Sequence, residues 1–388
     1  MEFEFPPEIR RFRQEIQEFV RSELPTGWKG ADEEDVDVEA RKAIRKKLAA
    51  RGWLTLAWPK EYGGREAPHL QQMVFSQEMA YHRVPATDSG ISMLGPILML
   101  EGTEEQKATF LPPIARGEVT WAQGYSEPGS GSDLASLQTR AVLDGDDFVV
   151  NGTKMWTSFA HYADWLFMLV RTDPDAPRHR GISFLLVDMK SPGVTVRPII
   201  DMAGIHSFNQ LFFDNVRVPR RNLVGTLNMG WYVGARLLDF ERSGIARAAG
   251  AQRTLEELVQ FAKETEWNGQ PLAKDPMVRH RLASIAIEIE VNRMISYHIG
   301  SLQSRGEPFS GEASMARVFG SEMVQRLYQT GMSILGPYGN IAHDSRWAPL
   351  HGRIVRGFLT SFSSTIAAGT SEIQRNVIAT RGLGLPRG

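Results

Sequence analysis

The chain has 388 residues, of which 42% are hydrophobic and 23% charged, and a formal net charge of −1. That length exceeds one simple core and implies two or three domains. The near-zero charge gives no electrostatic basis for nucleic-acid binding. The absence of cysteine excludes disulfides, thiolate nucleophiles and Cys-ligated zinc.

The N-terminus, MEFEFPPEIRRFRQEIQEFV, has no apolar signal core, and its glutamates are unlike a transit peptide. No run of about 18 apolar residues offers a membrane span, so a cytoplasmic enzyme is expected. The first ~120 residues read as helix by apolar period. Phe12, Ile16, Phe19 and Val20 form one stripe, ended by Pro25. VEARKAIRKKLAARGW carries Ile44, Leu48 and Trp53, with Gly52 as C-cap. GTEEQKATFLPPIARGE takes Thr103 as N-cap and is expected to stop before Pro112.

After about residue 120 the pattern changes. DDFVVNGTKMWTS, DWLFMLVRT, GISFLLVDM, GVTVRPII and LFFDNVRVP are short β-rich runs separated by Gly, Asn, Asp and Pro, as in a β-barrel or sandwich. From Gly230 onward long helical patterns return and strands vanish. Helical, then β, then helical is not the alternating order of a Rossmann fold.

No GxGxxG follows a strand, and neither GxxxxGK[ST] nor HExxH occurs. His343 and His351 are the closest histidines, and their spacing fits no metal motif; no metal is expected. YSEPGSGSDLAS (Tyr125–Ser136) is either a polar loop or a ligand cradle. Gly129 and Gly131 free its backbone, and Ser126 and Ser132 offer hydroxyls. KMWTS (Lys154–Ser158) reads as part of a strand, with Trp156 either core or a wall for a flat cofactor and Ser158 beside it. LLDFERSG (Leu237–Gly244) sets Asp239, Glu241 and Arg242 on an apolar helix. Burial there would raise a carboxyl pKa, as a base needs; a structural ion pair explains the same residues. SSTIAAGTSEIQRN (Ser363–Asn376) reads as a loop in which Thr370 and Ser371 offer caps for a helix beginning at Glu372.

In order and spacing, GPILMLEGTEEQKATFLPPIARGE, YSEPGSGSD, NGTKMWTS, FFDNVRVP, LDFER, ILGPYG and AAGTSEIQRN together resemble the acyl-CoA dehydrogenase family over nearly the whole chain. The resemblance implies an N-terminal helical domain (1–120), a middle β-barrel (121–228) and a C-terminal four-helix bundle (229–388). It implies α,β-desaturation of an acyl-CoA thioester, with FAD as cofactor and an electron-transferring flavoprotein as acceptor. Gln123, Tyr125, Ser126, Trp156 and Ser158 match flavin contacts, as do Thr370 and Glu372. Ser132, Asp239 and Arg242 match acyl-CoA contacts.

Many family members carry a catalytic glutamate just before the Gly-Thr of the last motif. Here that residue is Ala368, which keeps only the backbone N–H that bonds the thioester carbonyl. Members similar to isovaleryl- and long-chain acyl-CoA dehydrogenases carry the base just before the arginine of the LDFER-type helix. Glu241 matches that position and is the expected base. The family's RxxFG stretch, which contacts FAD across a subunit interface, is replaced by TEWNGQPL with Thr265 and Asn268. That departure is similar to bacterial members acting on bulky acyl-CoAs, some of them α₂β₂ hetero-oligomers. A homo-oligomer or such a mixed assembly is expected. The rivals are a partner subunit with an incomplete flavin site, a same-fold flavoprotein oxidase or desulfinase, and a cofactor-free scaffold.

Overall fold

The computed structural model describes residues 4–25, 28, 30, 38–236, 244–342 and 345–386. Helix α1 (Pro7–Glu23) buries Ile9, Phe12, Ile16, Phe19 and Val20, the stripe a 3.6-residue period predicts. Helix α2 (Val38–Ala50) ends as expected at Gly52, φ +62°. Trp53 N–H bonds Leu48 C=O at 2.9 Å and Gly52 N–H bonds Ala49 C=O at 2.8 Å, which is a Schellman motif. Helices α3 (His69–Tyr81) and α4 (Gly95–Glu101) follow.

Helix α5 (Glu104–Ala115) opens on a capping box between Thr103 and Gln106. It runs through Pro112 and Pro113 instead of stopping before them. The carbonyls the prolines leave free belong to Ala108 and Thr109, both exposed, so water can satisfy them. Buried Leu111 and Ile114 anchor the last turn.

Eight strands form one sheet: β1 (Trp121–Gly124), β2 (Arg140–Asp144), β3 (Asp147–Lys154), β4 (Trp165–Arg171), β5 (Ile182–Asp188), β6 (Val194–Ile199), β7 (Phe208–Pro219) and β8 (Leu223–Val224). Five of them fall on the five β-rich runs. The hydrogen-bonded path is β6-β7-β3-β2-β4-β5-β8, with β1 parallel to β4. Among the described residues no pairing joins β6 to β8. One expectation fails here: β3 ends at Lys154, so Trp156 and Ser158 lie in the turn after it.

Next come α6 (Gly230–Arg236) and α7 (Ile245–Glu264). β9 (Glu266–Trp267) and β10 (Gln270–Pro271) then pair as a small hairpin, a correction to the strand-free reading of this region. Asn268 at φ +51° and Gly269 at φ +72° make its turn, as Asn-Gly commonly does. The chain finishes with α8 (Pro276–Ser304), α9 (Ser310–Leu335), α10 (Arg353–Ser361) and α11 (Ser371–Val377).

These elements gather into two units that cut across chain order. One comprises Met1–Asp32, Pro68–Val84 and Arg242–Gly388; the other comprises Glu33–Ala67 and Pro85–Glu241. In the helical unit, α7, α8, α9 and α10 share a core that includes Leu258, Ile285, Ile289, Met323, Leu327 and Ile354, and α3 packs on α7 and α1 on α3. Glu257 accepts both Arg83 Nη atoms at 2.8 and 2.9 Å and Arg353 at 3.1 Å. In the sheet unit, Leu166–Val170 and Ile182–Val187 are buried residue after residue, so β4 and β5 are covered on both faces. Gln106 ties α5 to the sheet, donating to the carbonyls of Arg221 (2.7 Å) and Leu223 (2.8 Å).

Candidate active site

The two motifs of the sheet unit, Tyr125–Ser136 and Lys154–Ser158, come together at the ends of β1 and β3. Met155 N–H donates to Ser126 C=O at 2.9 Å. Lys154 Nζ donates to Tyr125 C=O at 3.2 Å and to Glu127 Oε1 at 2.7 Å. Glu127 also accepts the backbone N–H groups of Gln138 (2.6 Å) and Thr139 (3.0 Å). Lys154 is fully buried and Glu127 nearly so. Burial lowers the Lys154 pKa to about 8 against the opposing pull of Glu127. Burial pushes the Glu127 carboxyl upward, but Lys154 and the N–H donors outweigh it and hold it below its ordinary value. A bulge in β3 beside Gly152 brings the strand against the loop exit. A Cβ at Gly152, φ +147°, would sit 2.7 Å from Thr139 Cα, so only glycine fits.

Beyond Lys154 the chain turns sharply. Trp156 takes φ +61° and is 54% exposed, so it is not core. A bulky residue at positive φ is strained. Phe159 is also left-handed, at φ +55°. Thr157 is buried between them, its hydroxyl without a partner among the described residues. Asn209 on β7, fully buried, fixes the far side. Its backbone exchanges bonds with Thr157 at 3.0 and 3.1 Å, and its Nδ2 donates to Thr157 C=O at 3.1 Å and to His161 Nδ1 at 3.0 Å. Burial and the stacked His206 ring, 3.9 Å away, lower the His161 pKa. Ser158 is exposed.

Gln123 lies on β1 opposite Phe167 of β4. The Tyr125 hydroxyl is buried beside Gly234, and burial drives its pKa well up; Gln123 offsets part of that rise without forming a well-shaped hydrogen bond. Ser132 is exposed, next to the Asp133–Arg178 ion pair. A Cβ at Gly129 or Gly131 would meet nothing within 4 Å, so packing within this chain does not require either glycine.

In the helical unit the Ala367–Thr370 loop is held by side chains from two helices. Arg317 of α9 donates to Ala367 C=O, and Gln374 Nε2 donates to Ala368 C=O at 3.4 Å. Ala368 and Gly369 take φ +52° and +89°. Thr370 Oγ1 accepts Ile373 N–H at 3.2 Å and caps α11. The Glu372 carboxyl is held below its usual range, first by its own backbone N–H and then by the Thr370 hydroxyl. A groove of about 450 Å³ runs beside this loop, lined by Gln325, Arg326, Gln329, Thr370, Glu372 and Arg375 among others. Asp239, Glu241, Arg242 and His343 lie outside the described residues. Sequence reading missed Glu127, Asn209 and Arg317. Only Glu127 had a visible signal, a carboxylate inside the Gly/Ser-rich motif.

The acyl-CoA dehydrogenase N-terminal, middle and C-terminal domain models match residues 6–118, 122–216 and 228–383, in that order. The chain belongs to the acyl-CoA dehydrogenase family. The acyl-CoA dehydrogenases are FAD-dependent oxidoreductases, and this chain shares their helical, sheet and helical domain order. Acyl-CoA dehydrogenase FadE26 of Mycobacterium tuberculosis is 39% identical over 348 residues, covering 88% of this chain and 87% of that protein. The crystal structure of the ChsE4-ChsE5 complex from Mycobacterium tuberculosis matches with a TM-score of 0.91 at 36% identity. The Tcur3481-Tcur3483 steroid ACAD matches at 0.89 and 34%. Each of these two covers 100% of both chains. Among the described residues no acyl-CoA dehydrogenase helix is long and apolar enough to cross a membrane, and no cluster of three His, Asp or Glu could hold a metal.

Proposed function

We propose that this acyl-CoA dehydrogenase desaturates an acyl-CoA at its α,β-carbons, with FAD bound by the chain and Glu241 as the base. The observation that carries the reading is the joining of Tyr125–Glu127 to Lys154–Met155 through three hydrogen bonds. Those bonds unite two family motifs far apart in sequence into one polar wall. The wall fits a large flat group. Trp156 is exposed beside it, the Thr157 hydroxyl is unpartnered, and open space adjoins Gly129 and Gly131. Gln123, Tyr125, Ser126, Trp156 and Ser158 of the sheet unit would hold FAD, and Thr370 and Glu372 of the helical unit match flavin contacts by family resemblance. FAD, when bound, supplies the acceptor for the hydride that leaves the β-carbon.

The chain's own residues do the rest. Ser132, Asp239 and Arg242 bind the acyl-CoA. The Ala368 N–H bonds the thioester carbonyl and stabilises negative charge as the α-proton departs. Glu241 takes that proton. Glu372 is a poor rival, because its carboxyl is held below its ordinary range, whereas a base working near neutrality needs a raised one.

Small, exposed Ala367 and Ala368 leave room for a bulky acyl group. The likeness to a steroid ACAD makes a steroid-derived acyl-CoA the first to test. Both structural relatives are named as pairs of proteins, which supports an α₂β₂ assembly for this chain over a homo-oligomer. An electron-transferring flavoprotein is the proposed acceptor.

The test is anaerobic bleaching of the flavin by a panel of straight, branched and ring-bearing acyl-CoAs. Glu241→Gln should keep FAD and slow bleaching by roughly 10²–10⁴-fold. Glu372→Gln should weaken FAD binding at most. A wild-type bleaching rate in Glu241→Gln, with loss in Glu372→Gln, would overturn the base assignment. A preparation that binds no FAD, alone or with a co-expressed partner, would overturn the whole reading.

A further inference from the structure

We infer that Lys154 and Glu127 are positioning residues for the flavin-facing wall, fixing the course of both motifs from beneath. The inference rests on the flavin reading above, which uses the bonds of this pair only as evidence that the motifs meet, and it assigns the pair a function of its own. The pair ties together four points of the chain. Glu127 Oε1 takes Lys154 Nζ at 2.7 Å and Thr139 N–H at 3.0 Å, and its Oε2 takes Gln138 N–H at 2.6 Å. Lys154 Nζ also reaches Tyr125 C=O at 3.2 Å. Glu127 and Ser130 exchange backbone bonds at 2.8 and 3.1 Å, pinching the glycine-rich loop shut at its base. The entrance of that loop, its exit and the end of β3 are therefore fixed to one ion pair.

Three observations favour a role in position over one in stability. A buried ion pair is commonly no better for stability than apolar side chains of the same volume, so β3 would gain nothing from a lysine here on that ground. The pair also sits immediately before the strained stretch. Trp156, two residues beyond Lys154, keeps φ +61°, and such a conformation persists only where the surroundings over-determine it. Asn209 holds that stretch on one side, and on the other the Lys154 contacts and the Met155–Ser126 bond hold it. Lastly, the bonds converge on main-chain atoms of Tyr125, Gln138 and Thr139, so they set backbone course directly.

The experiment uses the full chain in its FAD-loaded assembly. Lys154→Met and the double variant Lys154→Met/Glu127→Gln are compared with wild type by FAD dissociation constant, visible flavin spectrum and thermal midpoint. The double variant leaves no unpaired buried charge and strands only one backbone N–H, at Gln138 or Thr139, so it is expected to fold where Lys154→Met alone does not; its thermal midpoint checks this. Its FAD dissociation constant is expected to rise at least about tenfold, roughly 1.4 kcal/mol, with shifted flavin bands. Arg217→Met removes an exposed ion pair to Asp144 on the same sheet and should change neither. A folded double variant that binds FAD within twofold of wild type, with the wild-type spectrum, overturns the inference and leaves the flavin reading standing. A wild-type protein that cannot be loaded with FAD overturns both.

Discussion

Replacing Gly369 with alanine isolates the role of the loop that carries the Ala368 N–H. Gly369 sits at φ +89°, where an L-residue with a Cβ pays roughly 1–2 kcal/mol. The new Cβ would also lie 2.4 Å from Gln374 Nε2. That atom ends a flexible side chain and its bond to Ala368 C=O is long, 3.4 Å, so losing it costs no more than about 0.5 kcal/mol. Torsion is therefore the larger effect, and the sum is about 1–2.5 kcal/mol if the loop keeps its shape. Ala367 and Ala368 are exposed, so the loop can relieve this strain by moving, and movement carries the Ala368 N–H off its line. A displacement near 1 Å can cost about 100-fold in rate. We expect Gly369→Ala to lower the thermal midpoint by no more than about 4 °C while slowing flavin bleaching by roughly 10–100-fold. Gly384, at φ +67° with nothing near its Cβ position, is the control. Gly384→Ala meets comparable torsional strain and should not change the rate. Equal rates in the two variants, both within twofold of wild type, would refute the assignment of catalytic weight to the loop.

Two further outcomes follow from the helical unit. Burial raises the pKa of Glu257, but Arg83, Arg353 and Arg253 outweigh it and hold the folded value below the ordinary one. Its stabilisation is therefore present above the unfolded value near 4.5 and is lost as pH falls through the folded value. Glu257→Gln should cost about 3 kcal/mol at pH 7 and flatten the acid limb of a urea-midpoint titration; an unchanged acid limb would contradict this. On α8, Ile287, Val291 and Met294 form an exposed apolar stripe at helical spacing, 65%, 40% and 57% accessible, as an oligomer interface requires. Ile287→Asp with Met294→Asp should lower the mass measured by light scattering, and an assembly of wild-type mass would remove the stripe from the interface.

Periodicity made much of the fold legible. The α1 stripe, the Gly52 cap and the five β-rich runs rest on local patterns of two or 3.6 residues, and local patterns survive into the structure. Reading failed where tertiary context overrides a local rule. Pro112 and Pro113 sit inside α5 because the carbonyls they strand face water and Leu111 and Ile114 are buried. Asn268-Gly269 marked a hairpin that passed unread in a helical neighbourhood. The sequence pattern puts Trp156 on a strand, yet its backbone turns left-handed two residues after β3 ends. The candidate site was legible only as motifs. What joins the motifs, Lys154 to Glu127 across 27 positions and Asn209 to Thr157 across 52, depends on pairings no spacing rule reveals.

The absent carboxylate at position 368 is understandable in these terms. The hydrogen bonds that hold the loop do not use the side chain at 368. Arg317 grips the Ala367 carbonyl, Gln374 the Ala368 carbonyl, and Thr370 caps the helix that follows. Each of these contacts is to backbone or comes from a neighbouring residue. An alanine at φ +52° is kept in a region that glycine would occupy at less cost, so the surroundings, and not the residue, impose the geometry. A glutamate at 368 would add a base to a hydrogen-bond donor that stands without it. Under the proposed mechanism, two jobs served by one residue in many family members are separated here, with the donor in the loop and the base at Glu241. Under that mechanism the separation would leave the space beside exposed Ala367 and Ala368 to a wider acyl group, since no carboxylate side chain stands in the loop.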